Sequence, residues 1–399
     1  MSLLALSDRI LTARFVERPN RFLVRCHVPR QGVVEAFLPN PGRLCELLLP
    51  HATLYLAPAA PPPLGRARLL PSQPPSRPPA PAVRKTAYTV LAVERDGQPI
   101  LLHTHLTNRV ARHLIETGCI PGLKGAEVVR SEIPVGNSRF DFLLTHAGRE
   151  LYVEVKSVTL FGNGVAMFPD AVSERGRKHL RELFALSRES ANRPLVLFLV
   201  HTDRVRWFLP DYHTDLAFSQ TLLDVHDAVQ ILPVAVGWTA ELSLAGPPRL
   251  LDIPWDHLRR EAQDRGSYLL LLELRRDRRI EVGRLGRLSF RRGWHIYVGS
   301  AMLGLTARLA RHVRHRKRLH WHIDHLRAVA DAAIPLPIRS SRREECDLAA
   351  DLSGLFDRGP IGFGCSDCGC PTHLFHSPAN PLTSVPFHAL LQRYRMRPP

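Results

Sequence analysis

The sequence predicts a multidomain chain: a small all-β barrel, then an α/β domain, then a second and strongly basic α/β domain. Three observations carry this. The chain has 399 residues, enough for two or three cores at roughly 150 residues each. Short apolar runs alternate with turn signals near the N-terminus, whereas later strand-like runs are interleaved with helix-spaced stretches such as 305–314, where Leu305, Leu309 and Val313 share a face. The charge is also uneven: residues 256–330 hold 18 Lys and Arg against 7 Asp and Glu, while 331–399 hold 7 of each.

The first element is the barrel, placed at 1–83. Phe22-Leu23-Val24, Val33–Phe37 and Thr53–Leu56 are short alternating runs, broken by the turn Pro39-Asn40-Pro41-Gly42. A five-stranded OB-like barrel fits that length. A Pro-rich segment at 57–82 reads as an extended or disordered connector. The α/β domain follows at 84–238, then a linker at 239–258, the basic domain at 259–385 and a tail at 386–399.

Composition narrows the function classes. Hydrophobic content of 45% and charged content of 23% describe a folded chain. A formal charge of +17 points to an acidic partner, nucleic acid first. Of the 54 cations 49 are arginine, which with 34 prolines suggests a GC-rich codon bias. That bias explains Arg over Lys but not the excess of cations over anions. Runs such as Leu195–Val200 are far short of the ~20 apolar residues of a membrane helix. The N-terminal MSLLALSDRILTARF carries Asp and Arg within its apolar stretch and makes a poor signal peptide. Seven cysteines, three of them crowded into 365–370, do not form a secreted disulfide framework, so a reducing cytoplasm is expected. The sequence leaves the oligomeric state open.

Within the α/β domain, 138–144 and 151–156 read as two strands around the turn His146–Arg149. With a period of two, Val153 and Val155 face one side, Glu154 and Lys156 the other. A hairpin brings Asp141 beside Glu154. Two buried carboxylates repel and cost free energy unless a cation is bound, and Mg²⁺ or Mn²⁺ suits them. Lys156 can then orient the attacking water and neutralise charge on the phosphate. This D-x12-E-x-K arrangement is the constellation of the PD-(D/E)xK nucleases. The competing reading is a solvated face on an edge strand. Lys156 is one of only five lysines, which makes a chance E-x-K rarer here.

Residues 14–236 resemble the sugar fermentation stimulation protein family. The resemblance is carried by Asn20–Leu23, Pro39–Arg43, Ser131-Glu132-Ile133, SRFDFLL at 138–144, YVEVKSVTL at 152–160, FPDAVSERGRKHLREL at 168–183 and Phe198-Leu199-Val200. It implies an OB-like domain joined to a restriction-endonuclease-like domain, with DNA binding attributed to the family. Carried over, Asp141, Glu154 and Lys156 are the catalytic set, and Glu132 is a further metal candidate. Asp170, Glu174, Arg175 and His179 lie after the active strand, where Arg175 and Lys178 could hold phosphate. A helix-surface role is the competing reading for His179. The chain departs from the family at Pro41, in the Pro-rich insert, and at His113, where an acid is expected.

Residues 262–377 resemble a GIY-YIG-like domain of unknown function that is sometimes attached to endonuclease III. The carriers are Tyr268, YVGSA at 297–301, LHWHIDHL at 319–326, EECDLA at 344–349 and GFGCSDCGCPTHLF at 362–375. The resemblance implies Tyr268 and Tyr297 near the attacking water, Arg308 on the phosphate and Glu345 on a divalent ion. The two tyrosine motifs are unusually far apart. A cationic helix at 308–318, with Arg308, Arg311, Arg314, Arg316, Lys317 and Arg318, is the expected nucleic-acid contact. Cys365, Cys368, Cys370 and His373 have zinc-ligand chemistry, but four ligands within nine residues strain a tetrahedral cage. The spacing therefore favours reduced thiols in a turn over structural Zn²⁺.

Two readings follow: a metal-dependent nuclease acting on DNA or RNA, or a nonspecific DNA-binding or regulatory protein whose nuclease-like sites are weak or silent. No helix-turn-helix supports a sequence-specific regulator.

Overall fold

The computed structural model describes residues 6–7, 9–59, 86–136, 138–189 and 194–399. The Pro-rich connector lies outside them from residue 60 onward. Its first residues, Ala57 and Pro58, end a strand.

Six strands build the first domain: β1 (Leu11–Asn20), β2 (Leu23–Val28), β3 (Gly32–Phe37), β4 (Thr53–Pro58), β5 (Tyr88–Arg95) and β6 (Gln98–Leu101). β1 pairs with β2 and β4, and β3 pairs in parallel with β5, so β1-β2-β3-β5-β4 close into a five-stranded barrel. The boundary expected at residue 83 moves to about residue 102. Closure needs β5, which comes after the Pro-rich stretch, and composition cannot reveal pairing across an insert.

The second domain runs α1 (Thr104–Glu116), β7 (Glu127–Val135), β8 (Ser138–His146), β9 (Arg149–Val158), β10 (Leu160–Gly162), β11 (Val165–Phe168), α2 (Glu174–Glu189), β12 (Leu195–Val200), β13 (Trp207–Pro210), α3 (Leu216–Val225), β14 (Gln230–Ala235), β15 (Arg249–Leu250) and α4 (Trp255–Glu261). Its main sheet has the order β15-β14-β12-β9-β8-β7. The all-apolar β12 is central because both its faces are covered: Val196, Phe198 and Val200 enter one core, Leu195, Leu197 and Leu199 another. The expected linker at 239–258 instead holds β15, paired with β14, and the start of α4.

The third domain contains β16 (Gly266–Leu274), β17 (Arg278–Glu281), β18 (Arg287–Phe290), β19 (Gly293–Ala301), α5 (Leu305–Val313), α6 (His322–Arg327), β20 (Ala332–Arg339), α7 (Glu345–Ser353), β21 (Asp357–Arg358), β22 (Leu374–Ser377) and α8 (Val385–Arg395). Its sheet order is β20-β16-β19-β22-β21. On β16, Tyr268, Leu270 and Leu272 pack with α5 and α6 residues, while Leu269 and Leu271 pack with α7 and α8 residues.

The expected tail is therefore largely helix α8, which docks on the second domain. His213 Nε2 lies 2.8 Å from the carbonyl of Arg395, and Met396 shares a core with Val165, Met167 and Leu209. Among the described residues no helix is long and apolar enough to cross a membrane.

Candidate functional site

The β8–β9 ladder runs from His146/Arg149 to Phe142/Val153 and ends there. One residue beyond that end, the Asp141 carboxylate takes over the bonding. Val155 N–H donates to Oδ2 at 2.7 Å and Asn108 Nδ2 donates to Oδ1 at 2.6 Å. Val153 and Val155 face the core, whereas Glu154 and Lys156 line an open cleft with Asp141.

Burial, then the neighbouring Glu154 charge, push the Asp141 carboxyl up to about 6. Burial works against the Glu154 charge too. His179 and Lys156 outweigh it and hold that carboxyl below its usual range. Lys156 Nζ pairs with Glu154 Oε1, and His179 Nδ1 lies 2.5 Å from the same oxygen. The other oxygen, Oε2, is buried without a hydrogen-bond partner. An orphaned carboxylate oxygen beside a second buried carboxyl fits a hard divalent cation.

His179 is not a helix-surface residue: it is 3% exposed, packed edge-on against Phe140. Its place four residues after Arg175 was the available signal, since that spacing puts both on one helix face. Arg175 Nε donates to His179 Nε2 at 3.3 Å and also lines the cleft. Asn108 was missed as a partner of Asp141, although its helix was singled out for His113, which does not line the cleft.

Two sequence candidates are not brought in. Glu132 is exposed and pairs with Arg139 at 3.3 Å. Lys178 pairs with Glu182 at 3.6 Å on a helix face that does not line the cleft. Glu132 sits in the left-handed backbone region (φ 56°), where it drops out of the β7–β8 ladder, and helix periodicity turns Lys178 outward.

The barrel contributes to this cleft through Arg21 and Asn40-Pro41-Gly42. Leu44 N–H donates to Asp170 Oδ2 at 3.2 Å. A Cβ on Gly42 would lie 2.4 Å from that oxygen, so the turn approaches Asp170 only with glycine there.

A second cleft opens in the third domain. Tyr268 and Tyr297 stand on the paired strands β16 and β19 with ring centroids 6.2 Å apart. Their long sequence separation is taken up by the β17–β18 hairpin between the strands. Tyr268 Oη bonds His312 Nε2 at 2.9 Å, and a Cβ on Gly299 would lie 2.5 Å from Oη. Burial pushes both phenols above their usual range. Arg308, stacked on Trp321 at 4.4 Å, and Glu345 also line this cleft.

The cationic run is not one helix. α5 stops at Val313, and Arg314 is extended. Arg311 and Lys317 face inward: Arg311 reaches both oxygens of the fully buried Asp324 at 3.1 Å, and Lys317 Nζ lies 2.8 Å from Oδ1. Removing two charges from water is tolerated only where they meet such a partner. Arg314, Arg316 and Arg318 are exposed. Cys365 does not join the other cysteines. Cys346, from α7, replaces it in a cluster with Cys368, Cys370 and His373.

Known proteins match this architecture. The model "SfsA N-terminal OB domain" matches residues 16–102, "Sugar fermentation stimulation protein RE domain" residues 105–241, and "Domain of unknown function DUF123" residues 267–394. A sugar fermentation stimulation protein homolog of Moorella thermoacetica is 38% identical over 218 residues, covering 54% of this chain and 85% of that protein. The homolog of Methanothermobacter thermautotrophicus is 33% identical over 247 residues, covering 61% and 94%. The structure of Pyrococcus furiosus SfsA in complex with Ca²⁺ aligns with a TM-score of 0.54 at 26% identity, covering 63% of this chain and 99% of that one. With its OB barrel, its matching second domain and relatives covered almost in full, this chain belongs to the sugar fermentation stimulation protein family.

Proposed function

We propose that this chain binds nucleic acid, DNA foremost, and hydrolyses its phosphodiester bonds at the Asp141, Glu154 and Lys156 centre with Mg²⁺ or Mn²⁺. The observation that carries the reading is Glu154, with one oxygen held by Lys156 and His179 and the other buried and unpartnered beside Asp141. A relative was solved in complex with Ca²⁺, another oxygen-seeking divalent ion, which agrees with a divalent cation as the metal.

Asp141 and Glu154 would hold the ion, which would polarise a phosphoryl oxygen and offset its charge. Asn108 and the Val155 N–H fix the Asp141 carboxylate, and His179 fixes Glu154. Lys156 presents an ammonium to the cleft, where it can orient water and balance charge developing on phosphate. Arg21 and Arg175 line the same cleft and supply phosphate contacts from the barrel and α2. Phe22 and Phe37 are exposed on the barrel with stacked rings 6.5 Å apart, a platform on which unpaired bases can stack. In the third domain, Arg308 and the exposed Arg314, Arg316 and Arg318 would add phosphate contacts beside Tyr268, Tyr297 and Glu345.

The second reading is a binder that does not cut. It is favoured by the ion pair in which Lys156 Nζ already neutralises one oxygen of Glu154, Oε1.

Plasmid nicking in Mg²⁺, Mn²⁺ or EDTA separates the two. The nuclease reading expects metal-dependent nicks that vanish in Glu154→Ala while gel-shift binding persists. Nicking that survives Glu154→Ala but falls in Tyr297→Phe would move the chemistry to the third domain. Binding without scission on plasmid, branched and single-stranded DNA would leave the binder.

A further inference from the structure

Cys346 stands in the first turn of α7, well before the turn that carries the other cysteines. Its Sγ nevertheless joins Cys368 Sγ, Cys370 Sγ and a ring nitrogen of His373, all within 4.8 Å of one another. Sequence spacing set four ligands within nine residues and found them too crowded. The fold removes that objection by supplying the fourth ligand from a separate element.

We propose that Cys346, Cys368, Cys370 and His373 bind a structural Zn²⁺ that fastens the start of α7 to the 359–373 loop. A tetrahedral zinc with Zn–S near 2.3 Å needs ligand atoms about 3.8 Å apart. The cluster is within small side-chain rotations of that spacing. Three thiolates and an imidazole are soft donors that select zinc over magnesium or calcium.

His373 is already held as a ligand would be. It is 1% exposed, its N–H donates to the Phe363 carbonyl at 2.9 Å, and its own carbonyl accepts from Val298 at 2.9 Å. Its ring Nε2 lies 3.5 Å from Cys368 Sγ. The two backbone bonds fix the residue's place, with Nε2 turned toward the cluster.

The position assigns a role. None of the four residues lines the second cleft, but their chain neighbours Glu345 and Asp367 do. Arg343 spans from Glu345, at 3.8 Å, to Asp367, at 4.0 Å. Gly364 N–H donates to His322 Nδ1 at 3.1 Å, linking the same loop to the opposite wall. Four protein ligands leave no open position, so the ion holds the cleft walls and does no chemistry itself. This inference does not depend on either cleft cutting nucleic acid.

The test is the metal content of the full chain, expressed with zinc and purified under reducing conditions. Mass spectrometry of the metal is expected to give one zinc per chain in wild type and in Cys365→Ser, and almost none in Cys346→Ser. A folded wild type without zinc, even after zinc is resupplied, overturns the proposal, and so does zinc that follows Cys365 rather than Cys346. Because Cys346→Ser could compromise folding, Co²⁺ exchange into wild type gives a second readout. Intense thiolate-to-cobalt absorption with a tetrahedral ligand-field band supports the site, and a spectrum of hexaaqua type rejects it.

Discussion

His179 Nδ1 lies 2.5 Å from Oε1 of Glu154, so a helix residue and a strand residue 25 positions apart form one buried polar unit. Arg175 Nε–H donates to the far ring nitrogen, which fits the tautomer carrying its proton on Nδ1. The unit helps keep Glu154 ionised against the cost of burial.

Removing the imidazole raises the Glu154 carboxyl, and the acid limb of metal-dependent scission should move to higher pH in His179→Ala. His179→Asn, which keeps a donor near the Nδ1 position, should move it less. A pH–rate profile for the three proteins decides: a uniform loss of rate with no displacement would mark His179 as a packing residue only.

Asp141, pushed up to about 6 in the fold against an ordinary 3.8, sets a second pH dependence. Between these values the folded chain binds more protons than the unfolded one, so this group's contribution to metal-free stability falls as pH rises through the window. Above about pH 6 the carboxylate is ready for a cation, and below it affinity should weaken about tenfold per pH unit. Thermal melts with and without Mn²⁺ at about pH 5 and about pH 7.5 check this. The Mn²⁺-induced rise in Tm should be large only at the higher pH and absent in Asp141→Asn.

The cations between Arg308 and Arg318 should divide into two classes. Arg311→Ala or Lys317→Ala leaves the fully buried Asp324 short of a partner and should cost about 2–4 kcal/mol of stability. The exposed Arg314, Arg316 and Arg318 can go to Ala with stability nearly unchanged, but DNA affinity and its salt slope should both drop, the slope by roughly 0.9 per lost duplex-phosphate contact. Urea unfolding and salt-dependent binding of the same variants separate the classes.

Phe22→Ala should weaken single-strand binding by about 1–3 kcal/mol, roughly 5- to 150-fold, with the salt slope unchanged, because stacking releases no counterions. Duplex binding should change little. Equal losses on both substrates would place Phe22 in barrel stability instead.

Much of this was legible along the chain. Glu154 and Lys156 share a face because strands have a period of two, and Asp141 reaches them because a short turn makes a hairpin. That the apolar runs at 195–200 and 269–272 are strands covered on both faces is a finding of the structure. Asn108 was not legible as a partner of Asp141, since nothing local distinguishes an inward asparagine from an outward one. The same holds for the barrel, whose fifth strand follows a Pro-rich insert that reads as a boundary.

Sequence alone therefore determined what repeats locally or keeps a fixed spacing: the three-domain order, the two carboxylates and lysine, the tyrosine pair and the family resemblance. Tertiary structure decided which of these groups are buried and what they meet. It turned Arg311 and Lys317 inward onto Asp324, buried His179 against Glu154, and exchanged Cys365 for Cys346. The reason is physical. A side chain's type and spacing are written in the chain, but its desolvation and its partner depend on residues that only folding brings within a few ångströms.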